Sequence, residues 1–206
     1  MTITITLILV AITSIISFIV FQNQELGKKL LFYPIAINEQ NQFYRWITSG
    51  FIHADSTHLI FNMIALYSFG THVESLFVEL FGITGKLYYL LFYISAIPIA
   101  SLFDYFKNKE NGRYAALGAS GGVAAIIFSA ILFNPFGTIY LYFLPIPSIL
   151  FGVLYLAYTF YMSKKGTDNV GHNAHLFGSI YGIIFTIAIY PKIIPHFINS
   201  ITNFLH

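Results

Sequence analysis

The sequence predicts an all-α polytopic membrane protein, a bundle of six transmembrane helices, on three observations. Of its 206 residues 57% are hydrophobic and only 9% charged, against about 25% charged in an ordinary soluble domain. Its 10 basic and 8 acidic residues sit in short clusters. Between the clusters lie six apolar runs close to the length of about 20 residues that one membrane crossing needs. The net charge of +2 is not gathered into a basic stripe, so the expected partner is a lipid bilayer and not a nucleic acid. The absence of cysteine excludes disulfides, thiolate metal sites and a cysteine nucleophile. Seven histidines and a few carboxylates remain as candidate chemistry.

The runs cover residues 3–21, 57–77, 87–103, 118–134, 145–162 and 171–190. The first has no Lys or Arg ahead of it, exceeds the apolar core of a signal peptide and ends without a small-residue cleavage site, so it reads as a retained helix. Glu74 is the one acidic residue inside a run. The first, third and fifth connections, 22–56, 104–117 and 163–170, hold most of the charges, while 78–86 and 135–144 are short or nearly uncharged. Because successive helices alternate in direction, the charged connections share one side, and helices two, four and six start from it. Residues 191–206, interrupted by Pro191 and Pro195, predict an interfacial segment. No internal repeat or linker divides the chain, so residues 1–206 read as a single domain.

Polar groups inside a membrane are costly and are functional candidates for that reason. Three clusters occur: His58-x-x-x-Asn62 on one face of helix two, Gly118-Ala119-Ser120-Gly121-Gly122 at the start of helix four, and Gly171-His172-Asn173-Ala174-His175 followed by Gly178 and Gly182 in helix six. All lie within about two turns of helix starts on the same side, so they converge at one shallow depth. In one reading Ser120 is a nucleophile with His175 as its base. Its backbone N–H, the Asn62 amide and the His58 imidazole then receive the oxyanion. No carboxylate lies near His175 in sequence, which predicts a dyad that needs neither cofactor nor metal.

Other readings stay open beside it. Gly118-x-x-x-Gly122 and Gly178-x-x-x-Gly182 are also small-residue packing motifs. Four imidazoles, from His53, His58, His172 and His175, suggest a histidine-rich membrane metalloenzyme, although no His-Glu-x-x-His is present. A polar pocket also suits a small-solute transporter. Arg45, Trp46 and His53 read as interfacial anchors, and His72, His196 and His206 as boundary or surface groups.

Taken in order from Arg45 to Gly182, these motifs resemble the rhomboid family of intramembrane serine proteases. Arg45-x-x-Thr48 through His53, His58-x-x-x-Asn62, Gly118-x-Ser120-Gly121 and Gly171-x-x-x-His175-x-x-Gly178-x-x-x-Gly182 carry the likeness. The resemblance implies a serine endopeptidase with Ser120 and His175 as the dyad, His58, Asn62 and the Gly118 to Ser120 backbone at the oxyanion, and transmembrane protein substrates. It implies that Gly178 lets helix six pack on helix four. It further implies that Arg45 and Glu74 are structural, tying the long first loop to the bundle. Gly70 and Glu74 match the family's Gly-x-x-x-Glu-x-x-x-Gly segment, but Val78 replaces its last glycine and the next one is Gly82. A bacterial plasma membrane is the expected location. Eight basic residues on the side of the pocket (Lys28, Lys29, Arg45, Lys107, Lys109, Arg113, Lys164, Lys165) against Lys86 and Lys192 predict a cytoplasmic pocket by the positive-inside rule. The resemblance implies the opposite and is followed here, because the first loop is long enough to fold as a unit and acidic residues, Asp168 among them, offset its charge.

Overall fold

A computed structural model describes residues 3–141, 143–166 and 170–205; Asp168 and His206 lie outside them. Six long helices run in chain order: α1 (Ile5–Gln22), α5 (Ser56–Phe81), α6 (Thr84–Asn108), α7 (Ser120–Phe133), α8 (Ser148–Lys165) and α9 (His172–Ile189). Short helices α2 (Gln24–Leu30), α3 (Pro34–Gln40) and α4 (Arg45–Thr48), with a 3₁₀ turn over Ser49–Phe51, fill the first connection, and α10 (Ile193–Leu205) ends the chain. Three helices, α1, α6 and α9, are long and apolar enough to cross a membrane by length and composition.

The helices are patterned for lipid. On α1 the buried stripe is Thr6, Leu9, Thr13, Ser17 and Val20, while Ile8, Ile12, Ile15, Phe18 and Ile19 are exposed. A soluble helix would be arranged the other way round. With hydrocarbon as the solvent, burying aliphatic groups gains little, and small residues that bring backbones close hold the bundle together. α9 repeats the pattern, burying Gly178, Ser179, Gly182 and Thr186.

At the centre stands α7, buried at every position from Gly121 to Ile131. It packs on α5, α6 and α9. A Cβ on Gly178 would collide with the Gly121 carbonyl, and one on Gly182 with the Ala125 carbonyl, so α9 lies backbone to backbone on α7. With 14 residues, α7 is about 21 Å long, shorter than a hydrocarbon core of about 30 Å. In a bilayer, a helix of that length leaves the chain at one or both of its ends below the level of the headgroups, which is tolerated where irregular backbone lines a cavity.

Several expectations change. The purely helical reading misses an antiparallel hairpin, β1 (Thr138–Leu141) with β2 (Leu144–Pro147), and residues 145–147 belong to it instead of opening the fifth helix. Tyr140, Phe143 and Leu144 are exposed on it. The expected helix over 118–134 begins at Ser120, because Gly118 has φ of 121°. The third helix runs on to Asn108, so Asp104 lies on it and not in a loop. The tail is helical, with Phe204 stacked on Phe136 at 4.0 Å.

Glu74 does not reach the first loop. Its carboxylate accepts from the backbone N–H groups of Ile5 and Thr6, each at 2.8 Å, and from Thr6 Oγ1 at 2.7 Å, so it caps α1, where a negative charge is favoured. Arg45 ties the first loop to itself and not to the bundle, donating to the carbonyls of Lys28 at 2.9 Å and Leu31 at 2.8 Å. Where Val78 lacks the family's glycine, Gly85 supplies the small residue across the turn, its α-carbon packed on the Phe77 carbonyl.

Candidate active site

Four hydrogen bonds, three between backbone groups and one to a side chain, place the start of α7. The first loop and the α6–α7 loop pair between Phe32 and Ala116, exchanging bonds of 2.8 and 3.0 Å. Gly118 N–H donates to the Ser49 carbonyl at 2.9 Å. Ala119 N–H donates to His53 Nε2 at 3.4 Å. Ser120 follows as the first residue of α7, and among the described residues no side chain caps that helix. The N–H groups of its first turn therefore point out of the helix unused, at the positive end of its dipole.

His58 enters from the first turn of α5, where the Asp55 carboxylate caps the helix by accepting from His58 N–H at 2.8 Å. A Cβ on Gly118 would sit 2.8 Å from His58 Cε1 and 3.8 Å from Ser120 Oγ. Glycine is required there twice, by its φ and by this approach. Asn62 lies one turn below, donating one amide hydrogen to the His58 carbonyl at 3.0 Å and keeping a second for another acceptor. His175 arrives on α9. Gly121 faces Ala174, 3.4 Å separating the Ala174 carbonyl from a Cβ built on that glycine, which sets His175 beside the start of α7. Its ring stacks on Tyr155 of α8 at 6.1 Å and meets His172 edge-on at 6.1 Å.

A cavity of about 1220 Å³ is lined together by Ser120, His175, His58, Asn62 and Gly118. Arg45, Glu74, Gly178 and Gly182 do not line it; they hold the elements that do.

His53 differs from its expectation as an interfacial anchor, being 2% exposed. Since Nε2 accepts from Ala119, Nδ1 carries the proton and donates to Ser17 Oγ at 3.0 Å, and that hydroxyl donates on to the Phe51 carbonyl at 3.2 Å. Burial lowers its pKa to about 3, so the neutral ring stays an acceptor. Both nitrogens are occupied, which removes His53 from a four-imidazole metal set. Trp46 packs on Phe32 and Tyr105, and His196 reaches the Phe133 carbonyl at 2.8 Å. Sequence reasoning also missed Tyr155, which carries no signal, and Asp104, whose signal was a carboxylate closing an apolar run.

Residues 40–192 match the family model described as Rhomboid domain. The chain is 30% identical over 155 residues to RHOMBOID-like protein 12, mitochondrial, of Arabidopsis thaliana, covering 71% of this chain and 46% of that protein. It is 28% identical to the human Presenilin-associated rhomboid-like protein, mitochondrial, over 66% of this chain and 35% of that one. It thus spans less than half the length of these two. Rhomboid protease GlpG of Haemophilus influenzae is 27% identical over 87% of this chain and 88% of its own. Relatives from mitochondria stand beside bacterial ones, so the expected bacterial plasma membrane finds no support, whereas an integral, multi-pass membrane protein does.

Proposed function

Because the chain belongs to the rhomboid family, we propose that it is an intramembrane serine endopeptidase, cutting transmembrane segments of other membrane proteins near the face from which α5, α7 and α9 start. The observation that carries this reading is the single cavity lined by Ser120, His175, His58 and Asn62 at the uncapped start of α7. Ser120 Oγ attacks the scissile carbonyl as His175 takes its proton. The oxyanion forms against the Ser120 N–H, with the free hydrogen of the Asn62 amide and the His58 ring reaching it from α5. His175 then returns the proton to the leaving amine. Water attacks the acyl-enzyme by the same route in reverse. The substrate helix must unwind first, since its carbonyls are engaged in its own hydrogen bonds, and this favours small residues and weak helix formers at the cut. Six crossings, one domain over residues 1–206 and a pocket opening away from the cytoplasm complete the proposal. A reporter that is active only in the cytoplasm, fused after His206, gives signal in that orientation and silence in the reverse.

Purified protein incubated with a model transmembrane substrate tests the chemistry. Ser120→Ala and His175→Ala are each inactive but folded, their losses not adding because the two act as a unit. Asn62→Ala loses about 10²- to 10³-fold in rate, the usual cost of one oxyanion donor. A serine-directed phosphonate inhibits and a chelator does not. Turnover by folded Ser120→Ala sinks the dyad.

A further inference from the structure

One buried carboxylate ties the segment that carries the proposed base to the helix end on which the α6–α7 loop folds. Asp104, 4% exposed, lies one turn before the end of α6 and accepts from Asn173 Nδ2 at 2.7 Å. Tyr114 of the α6–α7 loop lines the same cavity as Asp104, and burial first, and then the Asp104 charge, push its phenol up. The same loop is folded back on α6 by a chain of bonds. Asn108 Nδ2 donates to the Asp104 carbonyl at 2.9 Å, Asn111 Nδ2 to Asn108 Oδ1 at 3.2 Å, and Arg113 N–H to Asn111 Oδ1 at 3.1 Å.

A buried carboxylate without a cation is expensive. Among the described residues the ion pair within 4 Å is Lys28 with Glu25, on the surface, so Asp104 is held by hydrogen bonds. The donor to the carboxylate comes from α9, where Asn173 precedes His175 by two residues, while the loop that leads to Ser120 is bound through Asn108 to the Asp104 backbone carbonyl.

We propose that Asp104 is a positioning residue for the Ser120 and His175 pair: through Asn173 it clasps the first turn of α9 to the end of α6, on which the α6–α7 loop leading to Ser120 is folded, and so sets the distance between base and nucleophile. The proposal rests on the dyad reading above. It supplies from α6 the carboxylate that the sequence around His175 lacks, acting on its neighbours and not on substrate.

The test uses Asp104→Ala, Asn173→Ala, their double, and the exchanged pair Asp104→Asn with Asn173→Asp, in which amide and carboxylate trade sides. Cleavage of a model transmembrane substrate is measured with Ser120→Ala as blank, alongside thermal unfolding and amide hydrogen exchange. Misplacement by about 1 Å costs about a hundredfold in rate, so Asp104→Ala is expected to lose ten- to a hundredfold in kcat with KM held within about twofold. Asn173→Ala moves the same way, the double is no worse than Asp104→Ala, and the exchanged pair recovers most of the loss. Exchange rises over residues 171–176, but not where α1 meets Glu74. The clasp is overturned by wild-type kcat in folded Asp104→Ala, by losses that simply sum in the double, or by an exchanged pair as poor as the alanine variants. If Asp104→Ala fails to fold, Asn173→Ala, at a half-buried position, carries the same comparison. If wild-type protein cuts no substrate, the dyad reading falls by itself, and exchange decides alone: protection lost over residues 171–176 sustains the clasp, and protection kept overturns it.

Discussion

Helices α7 and α8 are neighbours in sequence and are held in opposite ways. α7 is buried along nearly its whole length, with α9 against it at Gly178 and Gly182. α8 buries only Ser148, Gly152 and Thr159 among its described residues and turns Leu150, Val153, Leu154, Tyr158, Phe160 and Tyr161 outward. Its inner contacts meet side chains of α7 and not its backbone, Ile131 and Phe128 reaching Gly152 and Tyr155 lying beside Phe128. The nucleophile and base of the proposed dyad therefore ride on the rigid pair α7 and α9. The cavity wall that Tyr155 supplies belongs to a helix with few buried contacts, and motion concentrates in such elements.

Substitutions separate the two regimes. Gly178→Val drives a branched side chain into the Gly121 backbone, which has no rotamer to yield. It is expected to lose about 3 kcal/mol or more, at the upper end for overpacking, and to abolish cleavage, read by thermal unfolding in detergent and by substrate turnover. Next in size is the pH dependence of the His53 link behind α7. The folded protein holds His53 near pKa 3 against about 6.5 unfolded. The unfolded chain therefore binds the extra proton first, and stability, complete above pH 6.5, falls as pH drops from 6.5 toward 3. The slope reaches about 1.4 kcal/mol per unit, and His53→Gln flattens it by about one proton. The smallest effect comes from a matched pair of glycine-to-alanine changes. Gly182→Ala meets the Ala125 carbonyl and costs about 1–3 kcal/mol. Gly152→Ala meets side chains alone, the tip of Ile131 at 3.1 Å from its Cδ1 and the Phe128 ring at an ordinary 3.5 Å, and changes stability by less than about 1 kcal/mol, alanine's helical advantage over glycine offsetting the contact. Equal losses in the pair would erase the distinction between α7 and α8.

Most of the long helices were legible because charge closes their apolar runs, with Asn134 and Pro135 marking the uncharged break before α8, and the candidate site because Ser120, His58, Asn62 and His175 were placed at one depth by counting residues from helix starts. What was hidden follows from two kinds of blindness. The segment 138–147 is as apolar as a helix, so its hairpin pairing leaves no trace in composition. Contacts across long separations leave none either: Glu74 reads as a partner of the nearby first loop, yet it binds Thr6, 68 residues away, and Asp104 finds Asn173 across 69. His53 reads as an anchor because an imidazole near a helix start is usually wet, and only the fold shows it sealed between Ser17 and Ala119.

In the proposed protease, with α7 as one of its crossings and Ser120 as its nucleophile, the brevity of that helix gives lipid a lever on the chemistry. Longer acyl chains raise the headgroups above the start of a 14-residue helix, while α5 and α6, with 26 and 25 residues, absorb the change by tilting. The path by which water descends to Ser120 then lengthens with the bilayer and shortens as the bilayer thins, so acyl-chain length sets the hydration of the pocket without altering any residue that lines it.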